Sequence, residues 1–518
     1  MAAARKRPAA KAAGPVRAGE ESGTPPFPPG DYPVVVVGSG PGGIQTSYFL
    51  GRHGIPHAVL SADPSPGGMF RRFPFFQRLL SWTKPNAPFP PRTREYEWYD
   101  WNSLLAIETE NRSVMPGLMD GTSEFPSRPE MELGIRTFVE RTHIGVRFGT
   151  RWEGTSRDGD RFVLHTTDGD YRAQALIFAV GVADPWMPST PGFEHVSHYV
   201  NTRNAESYKG KRLFIVGKQN SGFELASGLL QWASRIILAS PRPASLSVNT
   251  HSLAGVRARY VQPWEDSNLG AGCFIVNASI ERVVRHGSAY TVHTRRSDNG
   301  EPFAAEVDEV IAATGFQCPL LDLTDLGVTV FGQSKLPAMT NLFESSDVPG
   351  IFFAGTIGQG VAGLKKYGIP ANSGAVHGAR YNARLMVQNL AETRFGVIRE
   401  RPAIKPADAV DFLLTEASTA PELWNQKSYL ARAVWRDTDG SVRDEGIVSL
   451  AEFVDSAGPD GVAITVETDD TGDIHPAVYV RRRGRVDSDA RLDNSPLHEY
   501  RTTAHRAQLK ALLGDVLG

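Results

Sequence analysis

Two uninterrupted apolar runs, Val34–Val37 and Leu213–Val216, each stop at a glycine and are followed by segments with helical spacing, Ile44–Leu50 and Phe223–Trp232. Runs with no polar alternation suit strands buried on both faces of a parallel sheet. Strand, glycine turn and helix in succession predict a parallel sheet with crossover helices. The next strand of each block is His57–Leu60 in the first and Arg235–Ala239 in the second. The first block does not close before the second begins. Residues 307–316 (VDEVIAATGF) and 350–390 read as its remaining strand and helix material, which makes the second block an insertion. Beyond about residue 400, Val462–Thr468 and Ala477–Arg483 alternate like strands around an acidic turn, and 499–517 read as a closing amphipathic helix. The predicted fold class is α/β: two Rossmann-type nucleotide-binding domains, the second inserted in the first, plus a small C-terminal α+β domain. The expected layout is a disordered tail over 1–30, an FAD-binding domain over 31–200 and 305–398, an NAD(P)H-binding domain over 201–304, and an appended domain over 399–518.

A chain of 518 residues allows about three domains. The net charge of −2 excludes nucleic-acid binding as its main task. Only two cysteines, Cys273 and Cys318, are present, so there is no disulfide scaffold and no Cys-x-x-Cys pair for dithiol chemistry. A lone buried structural thiol is the expected role of Cys318. No apolar run is long enough to cross a membrane, and residues 1–30 lack a signal-peptide core, which together predict a cytoplasmic protein. No metal-ligand spacing appears among the 13 histidines.

The turn after the first run, GSGPGG at 38–43, has G-x-G-x-x-G spacing. Gly38 permits the tight turn, Gly40 lets a pyrophosphate approach, and Gly43 lets helix and strand pack closely. Pro41 opens the helix, whose N-terminus supplies N–H donors to phosphate. The position that normally carries a ribose-binding carboxylate is Ser61. Either Asp63 reaches the ribose or Ser61 makes a weaker bond.

The second turn, GKQNSG at 217–222, keeps Gly217 and Gly222 but carries Gln219 where the middle glycine is expected. Its side chain must point away from a bound pyrophosphate, or the cofactor sits farther off. Asn220 and Ser221 are placed for the pyrophosphate or the nicotinamide amide. No carboxylate ends the following strand, whereas Arg242 can pair with a 2′-phosphate, which favours NADPH over NADH.

The order GSGPGG, GGMF (67–70), GKQNSG, IAATGF (311–316) and GIFFAGT (350–356) resembles the two-dinucleotide-binding-domain flavoproteins. These include the class B flavin monooxygenases and the pyridine-nucleotide disulfide reductases. The chain resembles still more the FAD-dependent oxidoreductase-domain proteins, through FRRFP (70–74), LSWTK (80–84), YDWNSLL (99–105) and SGAVHGARY (373–381). The resemblance spans roughly 33–395. It implies that Gly68, Met69 and Phe70 pass beside the flavin, that Gly181 belongs to the crossover strand leading to the NADPH domain, and that the cofactor-binding Thr314 and Gly315 belong to the Ala-Thr-Gly-aromatic box of the monooxygenase branch. It also implies that Gly355 and Thr356 stand where the family usually has Gly-Asp on the ribityl chain, and that a helix starting around Ala371–Gly374, with Ser373, points at the pyrimidine ring.

The cofactors so implied are FAD and NADPH. With no cysteine pair, the reduced flavin must pass its electrons elsewhere. The monooxygenase branch implies molecular oxygen, activated as a flavin C4a-(hydro)peroxide that oxygenates a small nucleophilic substrate such as an amine. The alternative is an FAD-dependent NAD(P)H oxidoreductase that serves a protein or small acceptor without oxygen insertion. Lys84, Asn86 and Arg128 are the candidate catalytic residues. Ser127 and Glu130 have capping-box spacing. His377 and Arg380 fit core packing as well as substrate contact. Tyr479, Arg481, Arg482 and Arg483 read as a solvated basic strand end. For residues 399–518, capping the active site and forming a homodimer contact stand as alternative roles.

Overall fold

The computed structural model describes residues 25–73, 78–244, 272–361, 373–469, 471–514 and 516–517. Four of its helices matter most for the site: α1 (Pro41–Arg52), α2 (Arg128–Thr142), α3 (Asn220–Leu229) and α4 (Val376–Phe395).

The first sheet is built around Gly30–Val37, which runs parallel between His57–Ser61 and Gly169–Phe178. Val34, Val35 and Val36 are fully buried, as strands covered on both faces must be. Ile351–Phe353 runs parallel to Gly169–Phe178, so the late material expected for this sheet arrives there. Trp152–Asp158 and Arg161–Thr166 extend the sheet antiparallel. α1 and α4 pack into one core with the sheet through Ile44, Phe49, Leu385 and Met386.

The second sheet has Arg212–Val216 between Arg235–Ser240 and Glu309–Ala312, all parallel. Cys273–His286, Ala289–Arg296 and Pro302–Val307 continue it, and Ser197–His198 closes the far edge. The expectation that 307–316 completes the first sheet is therefore corrected, because Ile311 pairs with Ile215. Val310, Ile311 and Ala312 are buried, and an apolar parallel strand carries no mark of the sheet it joins. Where the chain crosses between the sheets, Asp184–Pro185 pairs antiparallel with Phe316–Gln317.

The third sheet is wholly antiparallel, in the order Ala403–Ile404, Val442–Ser449, Leu430–Arg436, Gly461–Thr468, Ile474–Arg482, Arg485–Arg491. Ala409–Thr419 and the closing helix Thr503–Leu513 pack with its residues in one core. Arg481 is not solvated as expected. It is buried, with its guanidinium 4.0 Å from the centre of the Phe453 ring.

The N-terminal expectation also changes. Residues 25–30 pack rather than trail, since the Tyr171 and Tyr32 hydroxyls donate to the carbonyls of Phe27 and Pro28 at 2.9 and 2.8 Å. Residues 1–24 lie outside the described residues. Among the described residues no helix is long and apolar enough to cross a membrane.

Candidate functional site

The first glycine turn opens on a cavity of about 440 Å³. A Cβ on Gly43 would lie 1.9 Å from the Gly38 carbonyl oxygen, so only glycine lets α1 start this close to its strand. α1 has Gly40 at its N-cap and no side-chain cap, and Gly38, Ser39, Gly40, Pro41 and Gly42 line the cavity. A helix N-terminus with no capping side chain, facing a cavity, suits a diphosphate. The Ser61 hydroxyl is spent on Ser39 at 2.8 Å and is buried. Of the two ribose candidates, Asp63 is the one that brings a carboxylate to the wall, with Arg72 at 3.6 Å. Gly68, Met69, Phe70, Gly181, Gly355 and Thr356 also line it. This glycine cradle, uncapped helix and wall carboxylate fit FAD.

Thr314, Gly315 and Ser373 do not line this cavity. Thr314 Oγ1 donates to the Trp186 carbonyl at 2.5 Å, and the Gly315 carbonyl accepts from Trp186 N at 3.0 Å, so both tie the two crossovers together. Ser373 accepts from Asn382 Nδ2 at 2.6 Å and is buried. The expected helix starts at Val376, and Ala371 and Asn372 lie outside the described residues.

The second turn repeats the close approach: a Cβ on Gly222 would lie 2.3 Å from the Gly217 carbonyl oxygen. Gln219 sits at the N-cap of α3 with its side chain exposed, so it does not plug the turn. The neighbouring Lys218 is buried instead. Its amine donates to the Val276 carbonyl at 2.9 Å and to Asn277, and burial pushes its pKa down. Arg242 is exposed on its turn.

Asn220 and Ser221, at the start of α3, face a second cavity of about 290 Å³. Glu224, Tyr199, Phe70, Leu79, Leu80, Ser81, Trp101 and His377 also line it. Phe70, Gly374, Ala375 and Val376 line both cavities, so the second turn and the α4 N-terminus meet beside the first cavity. Trp101 stacks on His377 with ring centroids 4.2 Å apart. Sequence reasoning missed Glu224, Tyr199 and Trp101. Glu224 alone had a signal, since it lies four residues after Asn220 and shares its helix face.

Lys84 and Asn86 are exposed and line neither cavity. Arg128 lines neither as well. Its guanidinium donates to the carbonyls of Phe70 and Arg71 at 2.7 and 3.3 Å and to Glu132 at 3.1 Å, holding the Gly-Gly-Met-Phe turn in place. The Ser127–Glu130 capping box forms as expected. Cys273 and Cys318 form no disulfide and lie buried in separate cores, and burial raises the Cys318 thiol to about 12. No cluster of metal-ligating side chains occurs among the described residues.

A family model described as pyridine nucleotide-disulphide oxidoreductase matches residues 35–355. The chain is 27% identical over 409 residues to mouse (Mus musculus) FAD-dependent oxidoreductase domain-containing protein 2, covering 70% of this chain and 58% of that protein. It thus spans less than two thirds of that relative's length. It is 26% identical over 330 residues to ferredoxin–NADP reductase of Thermus thermophilus, covering 62% of this chain and 84% of the reductase. Among solved structures, the ornithine N-hydroxylase of Kutzneria sp. 744 matches 70% of this chain and 99% of its own with a TM-score of 0.55. At 13% identity that likeness is one of fold. The family and these relatives imply FAD and NADP(H) as the cofactors.

Proposed function

The chain belongs to the pyridine nucleotide-disulphide oxidoreductase family, and from that premise we propose that it is an FAD-dependent monooxygenase that takes hydride from NADPH and oxygenates a small nucleophilic substrate with O2. The observation that carries this reading is the second cavity. It is walled by the second glycine turn on one side, by the α4 N-terminus on the other, and by Phe70, Leu79, Leu80 and Trp101 between them. A mainly apolar chamber there admits a small molecule beside the first cavity.

When bound, FAD supplies a ring that accepts hydride and holds two electrons for an acceptor. The protein's part is binding, orientation and electrostatics. The α1 N-terminus would hold the FAD diphosphate and Asp63 would accept from a ribose hydroxyl, while Arg128 fixes the backbone at Phe70. The partial positive charge of the α4 N-terminus favours negative charge at the wall shared by the two cavities. The α3 N-terminus would hold the NADPH diphosphate, and Asn220 and Glu224 would line the space open to its nicotinamide. The disulfide-reductase route lacks its dithiol, because the only two cysteines lie in separate cores.

A second reading, electron transfer to a protein or small acceptor without oxygen insertion, is favoured by the similarity that spans 84% of the Thermus reductase. The experiment reduces the purified protein anaerobically with NADPH, then admits either 18O2 with a panel of amines or a one-electron acceptor such as ferricyanide. Label in an amine product supports oxygenation. Rapid ferricyanide reduction with only peroxide formed under oxygen overturns it in favour of the second reading.

A further inference from the structure

The C-terminal sheet domain meets the rest of the chain at the short turn Glu95–Trp98. Arg94 donates to Glu416 at 2.7 and 2.8 Å and to Glu422 at 3.2 and 2.9 Å. Both carboxylates are buried, and Arg384 of α4 adds a bond to Glu422 at 2.7 Å. Beside this network Trp98 stacks on Trp424, with centroids 4.3 Å apart and planes 18° from parallel.

The same turn reaches inward. The Trp98 carbonyl accepts the Trp101 indole N–H at 2.9 Å. An indole has a single donor, so this bond fixes the ring about its long axis, which stacking alone leaves free to slide. Trp101 in turn stacks on His377, and both line the 290 Å³ cavity. Arg380 of α4, buried, ties the backbone between these points by donating to Glu97, Asp100 and Ser103 carbonyls at 2.8, 2.8 and 2.6 Å.

We propose that the C-terminal domain is a brace for this cavity: the Trp424–Trp98 stack and the Arg94 network set the orientation of Trp101, and with it the wall against which the nicotinamide and substrate are held. Arg94, Trp98 and Trp424 are positioning residues, since none of them lines the cavity. The role given to that wall rests on the function proposed above. The brace itself is a matter of packing and is testable without it. The arrangement is stiff because the Arg94 network is intolerant of partial loosening: moving the guanidinium away would leave two buried carboxylates undercompensated.

The test uses the full chain with Trp424→Leu, Trp101→Phe and the double variant. Amide hydrogen exchange reads the segment 99–103, where Tyr99 N donates to Tyr96 O, Trp101 N to Trp82 O, and Asn102 N and Ser103 N to Asp100. Trp424→Leu should speed exchange there by about tenfold. It should also change the half-saturating NADPH or the limiting rate of anaerobic flavin bleaching several-fold, with FAD content unchanged. In the double variant the kinetic effects should not multiply, because both substitutions break one chain of contacts. Should Trp424→Leu fail to fold, Trp424→Phe carries the same expectation at smaller size. Unchanged exchange at 99–103, or fully multiplicative kinetic effects, overturns the brace. A wild-type flavin that neither NADPH nor NADH bleaches would instead overturn the proposed function, and the exchange result would still decide the brace.

Discussion

Tyr199 donates its hydroxyl to Glu224 Oε2 at 3.0 Å, and the two side chains share the wall where the second glycine turn meets the α4 N-terminus. Glu224 is 2% exposed, so its bonds are made in a dry setting where each is worth more than on the surface. Replacing it by alanine removes a buried hydrogen-bond acceptor from the wall of the second cavity. Leaving a buried donor without its partner costs about 1–3 kcal/mol, or roughly 5- to 150-fold. Stopped-flow bleaching of the flavin by NADPH should show a loss of that size in the second-order rate of reduction. Tyr199→Phe leaves the carboxylate in place and should cost less.

The two glycine turns should separate genetically. A side chain at Gly43 collides with the Gly38 carbonyl and one at Gly222 with the Gly217 carbonyl, each a backbone atom that cannot swing aside. Gly43→Val should yield protein without visible flavin absorbance. Gly222→Val should keep its flavin yet resist bleaching by NADPH, while dithionite still reduces it. Dinucleotide titration followed by calorimetry checks the loss of binding directly.

Gln219 is the position where the second fingerprint departs most from its pattern, yet its side chain is exposed and its φ of −109° is ordinary extended backbone. Gln219→Gly therefore relieves no clash. Glycine at an N-cap changes helix stability by only a few tenths of a kcal/mol. The expected shift in NADPH affinity is less than about twofold, and a tenfold gain would show that the glutamine had been crowding the diphosphate.

Much of this arrangement was legible because it is local. Apolar strands ending on glycine, with a helix at once behind, specify the two turns wherever they end up in space. The sheet joined by Glu309–Ala312 was not legible, because a strand buried on both faces matches either sheet equally well. The walls of the second cavity were harder still. Trp101 and His377 come from distant stretches of chain and meet only through tertiary packing, whereas Lys84 and Asn86 belong to a suggestive local motif that turns out to face solvent. Arg481 misled for a related reason: a run of arginines looks solvated until one of them finds an aromatic face.

Stability should fall below neutral pH through two imidazoles, the half-buried His57 and the buried His198. His57, hydrogen-bonded to the Ile55 carbonyl and Ser47, and His198, bonded to the Gly315 carbonyl at the crossover, both have pKa values pushed down, chiefly by burial. A histidine whose folded pKa lies below its unfolded value of about 6.5 binds more protons when unfolded. Its stabilising effect is complete above that value and is lost as pH falls through the window down to the folded pKa. Thermal unfolding followed by circular dichroism should give a Tm that is flat above about pH 7 and declines below 6.5, and His198→Asn should flatten part of the decline.

Arg94 should matter more to stability than an ordinary surface arginine. Its guanidinium pairs with two carboxylates, Glu416 and Glu422, that folding has taken out of water, and shares them with Arg432 and Arg384. Removing one partner of an isolated buried ion pair costs about 3–5 kcal/mol, but here Glu422 keeps Arg384 at 2.7 Å and Glu416 keeps Arg432 at 3.5 Å, so the loss should be smaller. Arg94→Met should still lower the urea midpoint of the C-terminal domain. Arg94→Lys should recover only part, since an ammonium cannot present the planar fork that meets both carboxylates at once. Converting Glu416 and Glu422 to glutamine in the Arg94→Met background removes the excess negative charge but also takes a partner from Arg384 and Arg432, so it should restore only part of the loss. If that triple variant is no more stable than Arg94→Met alone, the cost lies in lost packing of the arginine stem rather than in uncompensated charge.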